Sequence, residues 1–338
     1  MQKILLTGAT GILGSEVLQA LHRTYPEATI VGVSRRRADG ISIHPWHIGH
    51  EPPPEILQTD WDIIVNCAAS TRWNMSREDA IRANVDSVRA LEALVSPATR
   101  VVHVSTAFVA GLRGSHESTE LSDYRNTYEW SKAAAERVAV ATFTNCAIVR
   151  PPLIVGRRSD GRIARYNGLY TCVRASITGL APALVGDERA YVDIAPVDDV
   201  ARLVVDATRY SLTSGPVVRT IACGSGAPTL GTIVETTYEI VNDRRRLLGL
   251  PELERVPIVS TERWNRFYFP FIKDLLRPNQ MRAVDLLNEF GPYLTMSSPL
   301  SGEVAVPRAV DVLRQCLKTW VEDHPRAVAA KPKVWAVL

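Results

Sequence analysis

Thr7-Gly8-Ala9-Thr10-Gly11-Ile12-Leu13-Gly14 decides how this chain is read. The apolar run Lys3 to Thr7 before it reads as a buried strand, and Gly11 to His22 as a helix with apolar residues on one face. A strand that turns at once into a helix needs a residue free of Cβ strain at the turn and close packing behind it, and glycine supplies both. The helix start then presents unpaired N–H groups and the positive end of its dipole, which together hold a pyrophosphate. The spacing is Gly-x-x-Gly-x-x-Gly rather than Gly-x-Gly-x-x-Gly. In this strand–turn–helix setting it still predicts dinucleotide binding by Thr7, Gly8, Thr10, Gly11, Ile12, Leu13 and Gly14.

Working outward, apolar strands alternate with helical stretches. Thr29 to Ser34, Asp62 to Cys67, Arg100 to Thr106 and Ala147 to Arg150 read as strands, and Ser76 to Leu94 and Tyr128 to Ala141 as helices. Strands apolar along their whole length are covered on both faces, so the expected fold is α/β: a doubly wound parallel sheet. Pro151-Pro152 ends the regular pattern, placing a boundary near residue 150. Residues 1–150 form the expected nucleotide domain, and 151–338 a smaller, mostly helical C-terminal substrate lobe. Within the lobe, about 190–226 is expected to return to the sheet, through a helix at Pro196 to Thr208 opened by Asp198 or Asp199 and a strand at Arg219 to Cys223. Gly156 to Gly168 reads as an Arg-rich loop, and Arg263 to Asp274 as the densest aromatic cluster.

Ser34-Arg35-Arg36-Arg37 follows the second strand. An acidic residue there would accept from a ribose 2′-hydroxyl, whereas arginine offers planar donors to a 2′-phosphate. Ser34, Arg35 and Arg36 therefore favour NADP(H) over NAD(H). Tyr128 and Lys132 stand four apart on a predicted helix and so share a face. A free tyrosine titrates near ~10. A lysine cation beside it favours the phenolate, so Tyr128 could exchange a proton with a carbonyl oxygen. Lys132 could also reach the nicotinamide ribose. Ser105-Thr106 closes the preceding strand, at the carboxyl edge where ligands of such sheets lie, and offers hydroxyls to the same oxygen. Asn84 sits on the preceding helix, placed to anchor a water or backbone group behind the lysine.

The chain has 338 residues, 46% of them hydrophobic, enough for a large buried core, and a formal net charge of +3. That near balance gives no reason to expect nucleic acid as a partner. The five cysteines are scattered without Cys-x-x-Cys spacing and read as reduced packing residues. No metal site is expected. The N-terminal apolar run is too short for a signal peptide and no stretch is long enough to span a bilayer, so a cytoplasmic protein is expected.

Taken in order, Gly8 to Gly14, Asn66-Cys67-Ala68-Ala69, Asn84-Val85-Asp86, Val104-Ser105-Thr106-Ala107 and Tyr128 to Lys132 resemble an extended short-chain dehydrogenase/reductase, with a Rossmann-like fold, to about residue 225. Within that superfamily, His103-Val-Ser-Thr-Ala-Phe-Val109, Asn126-Thr-Tyr-Glu-Trp-Ser-Lys-Ala133, Ala80-Ile-Arg-Ala-Asn-Val-Asp86 and Asp193-Ile-Ala-Pro-Val-Asp198 are similar to fatty acyl-CoA reductases and thioester reductase domains. The resemblance implies a catalytic set of Thr106, Tyr128 and Lys132 supported by Asn84. It also implies cofactor contacts from Cys67, Ala68, Ala69, Tyr128, Lys132, Pro151 and Leu153, and substrate contacts from Ser105, Phe108 and Ile154. Where the family carries an acidic adenine contact after the third strand, this chain has Pro45-Trp46-His47-Ile48-Gly49, leaving His47 or Ile48 for that place.

The implied activity is NADPH-dependent reduction of an acyl thioester, on CoA or a carrier protein, to an aldehyde or alcohol. The enzyme would be free-standing, meet its substrate in trans, and act as a monomer or homodimer. Trp264, Phe267, Tyr268, Phe269 and Phe271 could line an acyl pocket or simply pack the lobe, and Arg157, Arg158, Arg162 and Arg165 could meet a substrate phosphate or form a solvated loop. The alternatives are a sugar-nucleotide epimerase/dehydratase or hydroxysteroid-type dehydrogenase, and a non-catalytic dinucleotide-binding regulator.

Overall fold

The computed structural model describes residues 1–35, 43–210 and 215–332. They divide into two compact units. The first comprises Met1–Ile154, Val197–Ala222 and Gly302–Ala305; the second comprises Val155–Pro196, Cys223–Ser301 and Val306–Leu338.

The first unit is built on an eight-stranded sheet. Its first six strands are β1 (Lys3–Thr7), β2 (Thr29–Ser34), β3 (Ile43–Pro45), β4 (Ile63–Asn66), β5 (Arg100–Val104) and β6 (Cys146–Arg150). Across the sheet the order is Val304–Ala305, Val217–Ala222, β6, β5, β4, β1, β2, β3, with parallel pairing throughout. This is the expected Rossmann-like architecture. Ile4, Leu5 and Leu6 of β1 and Ile64 and Val65 of β4 are fully buried, as befits central strands covered on both faces. Thr7, Asn66, His103 and Ile148 share one register row across β1, β4, β5 and β6. That row lies at the carboxyl edge of the sheet.

Helix α1 (Ile12–Thr24) carries His22 and Arg23 in its last turn, where cations suit the negative end of the dipole. It packs along the helix Val197–Ala207. Asp198 and Asp199 lie inside the first turn of that second helix rather than ahead of it, so they complement the dipole instead of opening the helix as N-caps. Helix α4 (Thr127–Thr142) starts at Asn126, whose side chain accepts from the Glu129 N–H at 3.0 Å. The buried Glu129 carboxylate accepts in turn from the Arg125 backbone N–H at 3.2 Å and from its guanidinium. These reciprocal bonds fix where α4 begins.

The single helix expected over Ser76 to Leu94 is instead broken into parts. Ser76 caps a short α2 (Arg77–Ala80), a π-helical turn occupies Ile81–Val85, α3 covers Asp86–Arg89, and a 3₁₀ turn follows at Glu92–Leu94. The apolar period survives a one-residue bulge, so periodicity alone did not reveal the break. The strand expected to reach Thr106 ends at Val104, although the Ser105 N–H still donates to the Val149 carbonyl of β6 at 2.7 Å.

The second unit is largely helical, with Leu169–Ile177, Leu230–Leu247, Pro278–Phe290 and Ala309–Asp323 as its longer helices and a two-stranded pairing of Leu184–Val185 with Ile258–Val259. Its aromatic cluster separates by burial. Trp264 packs with Ala183, Val185, Val259 and Val284, while Phe267, Tyr268 and Phe271 are exposed. In the arginine loop, Arg158 donates to the Pro307 carbonyl at 2.9 Å, Arg157 lies 3.8 Å from Asp160, and Arg162 and Arg165 are exposed. No helix among the described residues is long and apolar enough to cross a membrane.

Candidate active site

The glycine turn follows β1 directly. Gly8 adopts φ +67°, and a Cβ there would lie 2.8 Å from backbone atoms of Cys67 and Ala68. A Cβ on Gly14 would collide with the Gly8 carbonyl, so helix and turn meet backbone to backbone. Gly11 occupies the N-cap of α1 in an extended conformation with no side-chain cap bond, and no acidic residue stands in the first turn. The first N–H groups of the helix are therefore left for a ligand, and the positive dipole end is uncompensated. Thr10 is exposed, Ile12 is half-buried and Leu13 is buried. Thr7 is placed differently from the rest of its motif. Its hydroxyl is fully buried, donates to Asn66 Oδ1 at 2.6 Å and accepts from the Ala68 N–H at 3.2 Å. That side chain ties β1 to β4 and faces no ligand space.

At the end of β2, Ser34 is buried and Arg35 is exposed. Arg36 and Arg37 lie outside the described residues. After β3, Trp46 is buried and donates to the Glu51 carbonyl at 3.1 Å. His47 stacks on His50 with ring centroids 3.8 Å apart, and burial with the neighbouring His50 and Arg35 pushes its pKa down. After β4, Cys67 and Ala68 are half-buried and Ala69 is exposed. Burial raises the Cys67 thiol to about 12, so it stays protonated and is no nucleophile.

The π turn holds Asn84, whose side chain is 1% exposed. Its Oδ1 accepts from the Ser70 N–H at 2.8 Å, while its Nδ2 donates to the Ser70 carbonyl at 3.1 Å and to Ser131 Oγ at 2.8 Å. Ser131 Oγ donates to the Tyr128 carbonyl at 2.9 Å. Asn84 thereby links the segment after β4 to the turn of α4 that carries Tyr128. Ser131 was not singled out from the sequence, and its place between Tyr128 and Lys132 was the available signal.

Beyond β5, Thr106 is hydrogen-bonded to the Tyr128 hydroxyl, and its own Oγ1 also reaches the Pro151 carbonyl at 3.5 Å. Ser105 Oγ is buried without a hydrogen-bond partner, an orphan that a substrate oxygen would satisfy. Phe108 and Pro151 are buried, and Leu153 and Ile154 are half-buried, along the same edge of the first unit.

The expected direct pairing of the Lys132 charge with Tyr128 is not what the structure holds. Lys132 is 1% exposed and its Nζ donates to the Val104 carbonyl at 2.7 Å, with His103 Nε2 at 3.5 Å. Burial raises Tyr128 to about 12; the Thr106 hydrogen bond opposes that rise and the Glu129 charge adds to it. Four-residue spacing puts the two side chains on one face, but the lysine stem turns its amine toward the end of β5. Burial also lowers Lys132 to about 8, against the charge of Glu136. The site thus pairs a phenol that keeps its proton with an amine able to exchange one near neutrality.

Residues 53–204 match a family profile described as a male sterility protein NAD-binding domain. Human fatty acyl-CoA reductase 1 is 25% identical over 318 aligned positions, covering 72% of this chain and 62% of that protein. The chain thus spans about three fifths of the length of the curated relatives it matches. Among solved structures, the terminal R domain of the myxalamid PKS-NRPS biosynthetic pathway superposes with a TM-score of 0.71 at 17% identity, covering 98% of this chain and 93% of the other. MoeE5 in complex with UDP-glucuronic acid and NAD superposes with a TM-score of 0.60 at 18% identity, covering 95% and 99%. At these identities the two superpositions establish the shared fold alone.

Proposed function

We propose that this chain is an extended short-chain dehydrogenase/reductase related to the male sterility and fatty acyl-CoA reductase proteins it is similar to, and that it acts as an NADPH-dependent reductase of acyl thioesters. The observation that carries the reading is the hydrogen-bonded Thr106–Tyr128 pair with buried Lys132, at the sheet edge onto which the uncapped start of α1 also opens.

The glycine turn fits a dinucleotide: its backbone is bare at Gly8 and Gly14, and its first helical N–H groups are free of side-chain caps. Thr10, Gly11, Ile12 and Leu13 would hold the pyrophosphate, Ser34 and Arg35 the 2′-phosphate, and Cys67 to Ala69, Pro151 and Leu153 the rest of the cofactor. When bound, the reduced nicotinamide supplies a hydride. Thr106 and Tyr128 hold the carbonyl oxygen of the substrate, and the orphaned Ser105 hydroxyl adds a third donor. Tyr128, still protonated at neutral pH, gives its proton to the oxygen as negative charge develops there. From a thioester this yields a hemithioacetal, which parts into aldehyde and thiol. Phe108 and Ile154 flank the acyl group next to its carbonyl.

Incubation with acyl-CoA and acyl-carrier substrates, following loss of NADPH absorbance, tests the reading. Turnover of thioesters is the expected result; turnover confined to free aldehydes or ketones would reject thioester reduction. Protein that purifies with a tightly held oxidised cofactor would point to an epimerase-type cycle instead.

A further inference from the structure

Thr7, Asn66 and His103 stand in one register row on three adjacent strands, and all three are buried. Their hydrogen bonds have a fixed direction. The Ala68 N–H, which can only donate, approaches both Thr7 Oγ1 at 3.2 Å and Asn66 Oδ1 at 3.3 Å. Thr7 therefore spends its own proton on Asn66 Oδ1, at 2.6 Å. With that oxygen so engaged, the Asn66 amide turns its Nδ2 to His103 Nδ1 at 3.1 Å and donates to it. Burial, with the Lys132 charge, pushes the His103 pKa well down, so the ring is neutral and carries one proton. Since Nδ1 accepts, that proton lies on Nε2, which faces Lys132 Nζ at 3.5 Å.

We propose that His103 is a positioning residue for Lys132: the row Thr7–Asn66–His103 locks the imidazole as its Nε2–H tautomer, and this N–H, aimed at the lysine amine, adds to burial in making Lys132 a proton-exchanging group rather than a permanent cation. An ammonium has no lone pair to accept from an N–H, whereas the neutral amine has one, so the imidazole favours the uncharged form. The distances agree. The ammonium's close partner is the Val104 carbonyl at 2.7 Å, and the imidazole contact is the longer one. The other groups facing the amine do not supply this bias. Glu136, which raises the lysine pKa, is bound to Arg150 of β6 at 2.9 Å, and Cys67 is a protonated, uncharged thiol. Tyr128 is a neutral phenol. With Lys132 at about 8, reprotonation of Tyr128 after each turnover can draw on the lysine, and the row runs from the base of the glycine turn to the proton donor.

The inference rests on the proposed role of Lys132, but its first test does not depend on activity. Ring ¹⁵N spectra of the wild-type protein, with the His103 signals assigned by their loss in His103→Gln, should show Nδ1 unprotonated and Nε2 protonated at neutral pH. A protonated Nδ1, or an imidazolium, overturns the proposal even if no substrate is turned over. The second test is the pH profile of kcat/KM with NADPH. In Asn66→Asp the carboxylate cannot donate, so Nδ1 takes the proton and Nε2 offers its lone pair to the ammonium. The alkaline limb set by Lys132 should then move up by about one pH unit or more. In Asn66→Asp/His103→Phe, which keeps the new charge but lacks the imidazole, most of that shift should vanish. A limb that stays in place in Asn66→Asp, or a shift equally large without the imidazole, overturns the assignment.

Discussion

At the residue scale, the chemistry turns on two side chains whose burial moves them in opposite directions. Tyr128 is raised to about 12 because a phenolate is costly in an apolar setting, and Lys132 is lowered to about 8 because an ammonium is costly there too. The phenol accordingly holds its proton across the neutral range and serves as the acid, while the reductive rate should fall as pH rises through the lysine value. Tyr128→Phe should lower kcat by about two or more orders of magnitude, consistent with the loss of a general acid. Single-turnover reduction with pre-bound NADPH measures this, and an unaltered rate would remove Tyr128 from the mechanism. Both residues were readable as a pair because four-residue spacing on a helix is a local property. Where the lysine amine points was not readable: its partners, Val104 and His103, lie on a strand some thirty positions earlier in the chain.

At the scale of elements, the turn after β1 and the π turn at Ile81–Val85 place the groups that the residues need. Gly14→Ala would set a Cβ against the Gly8 carbonyl, and no rotamer can relieve a clash with backbone. Loss of NADPH binding, read by fluorescence titration, is expected together with a lower Tm. Asn84→Ala should cost about 1–3 kcal/mol of unfolding free energy, because Ser70 and Ser131 lose buried partners. Denaturant unfolding checks this, and a stability within experimental error of wild type would mean the bridge from Ser70 to α4 holds nothing. The supporting role of Asn84 came from the family resemblance rather than from its place in the chain. The π turn that aims it was not legible, since one extra residue per turn leaves the apolar stripe nearly intact.

At the scale of the whole molecule, the first unit draws on three separate stretches of chain, ending with Gly302–Ala305. The strand Val217–Ala222 pairs with β6, and the helix Val197–Ala207 covers α1. A fragment of residues 1–154 lacks both, leaving the edge of β6 unpaired and apolar faces of α1 bare. It should not fold into a nucleotide-binding domain, as judged by circular dichroism and by NADPH titration. A cooperative melt with a Tm raised by NADPH in that fragment would contradict this. For the full chain, the arginine run should appear as a kcat/KM preference for NADPH over NADH, reduced about tenfold or more by Arg35→Ser as one charge-assisted phosphate contact is lost. Equal efficiency with both cofactors in the wild-type protein would remove that reading.

What the sequence determined by itself is what near neighbours in the chain decide. The glycine turn, the fully apolar strands and the Tyr128–Lys132 spacing each depend on backbone geometry over a few residues, and they sufficed for a doubly wound sheet and a candidate site at its carboxyl edge. Tertiary structure alone decided the rest. It turned Thr7 away from the ligand side and into Asn66, set His103 in the same row, and gave Lys132 the Val104 carbonyl rather than the Tyr128 phenol as its partner. These contacts join elements up to 59 residues apart in the chain. Parallel pairing leaves register to the packing of whole strands and crossover helices, so no local pattern could announce which polar side chains would meet.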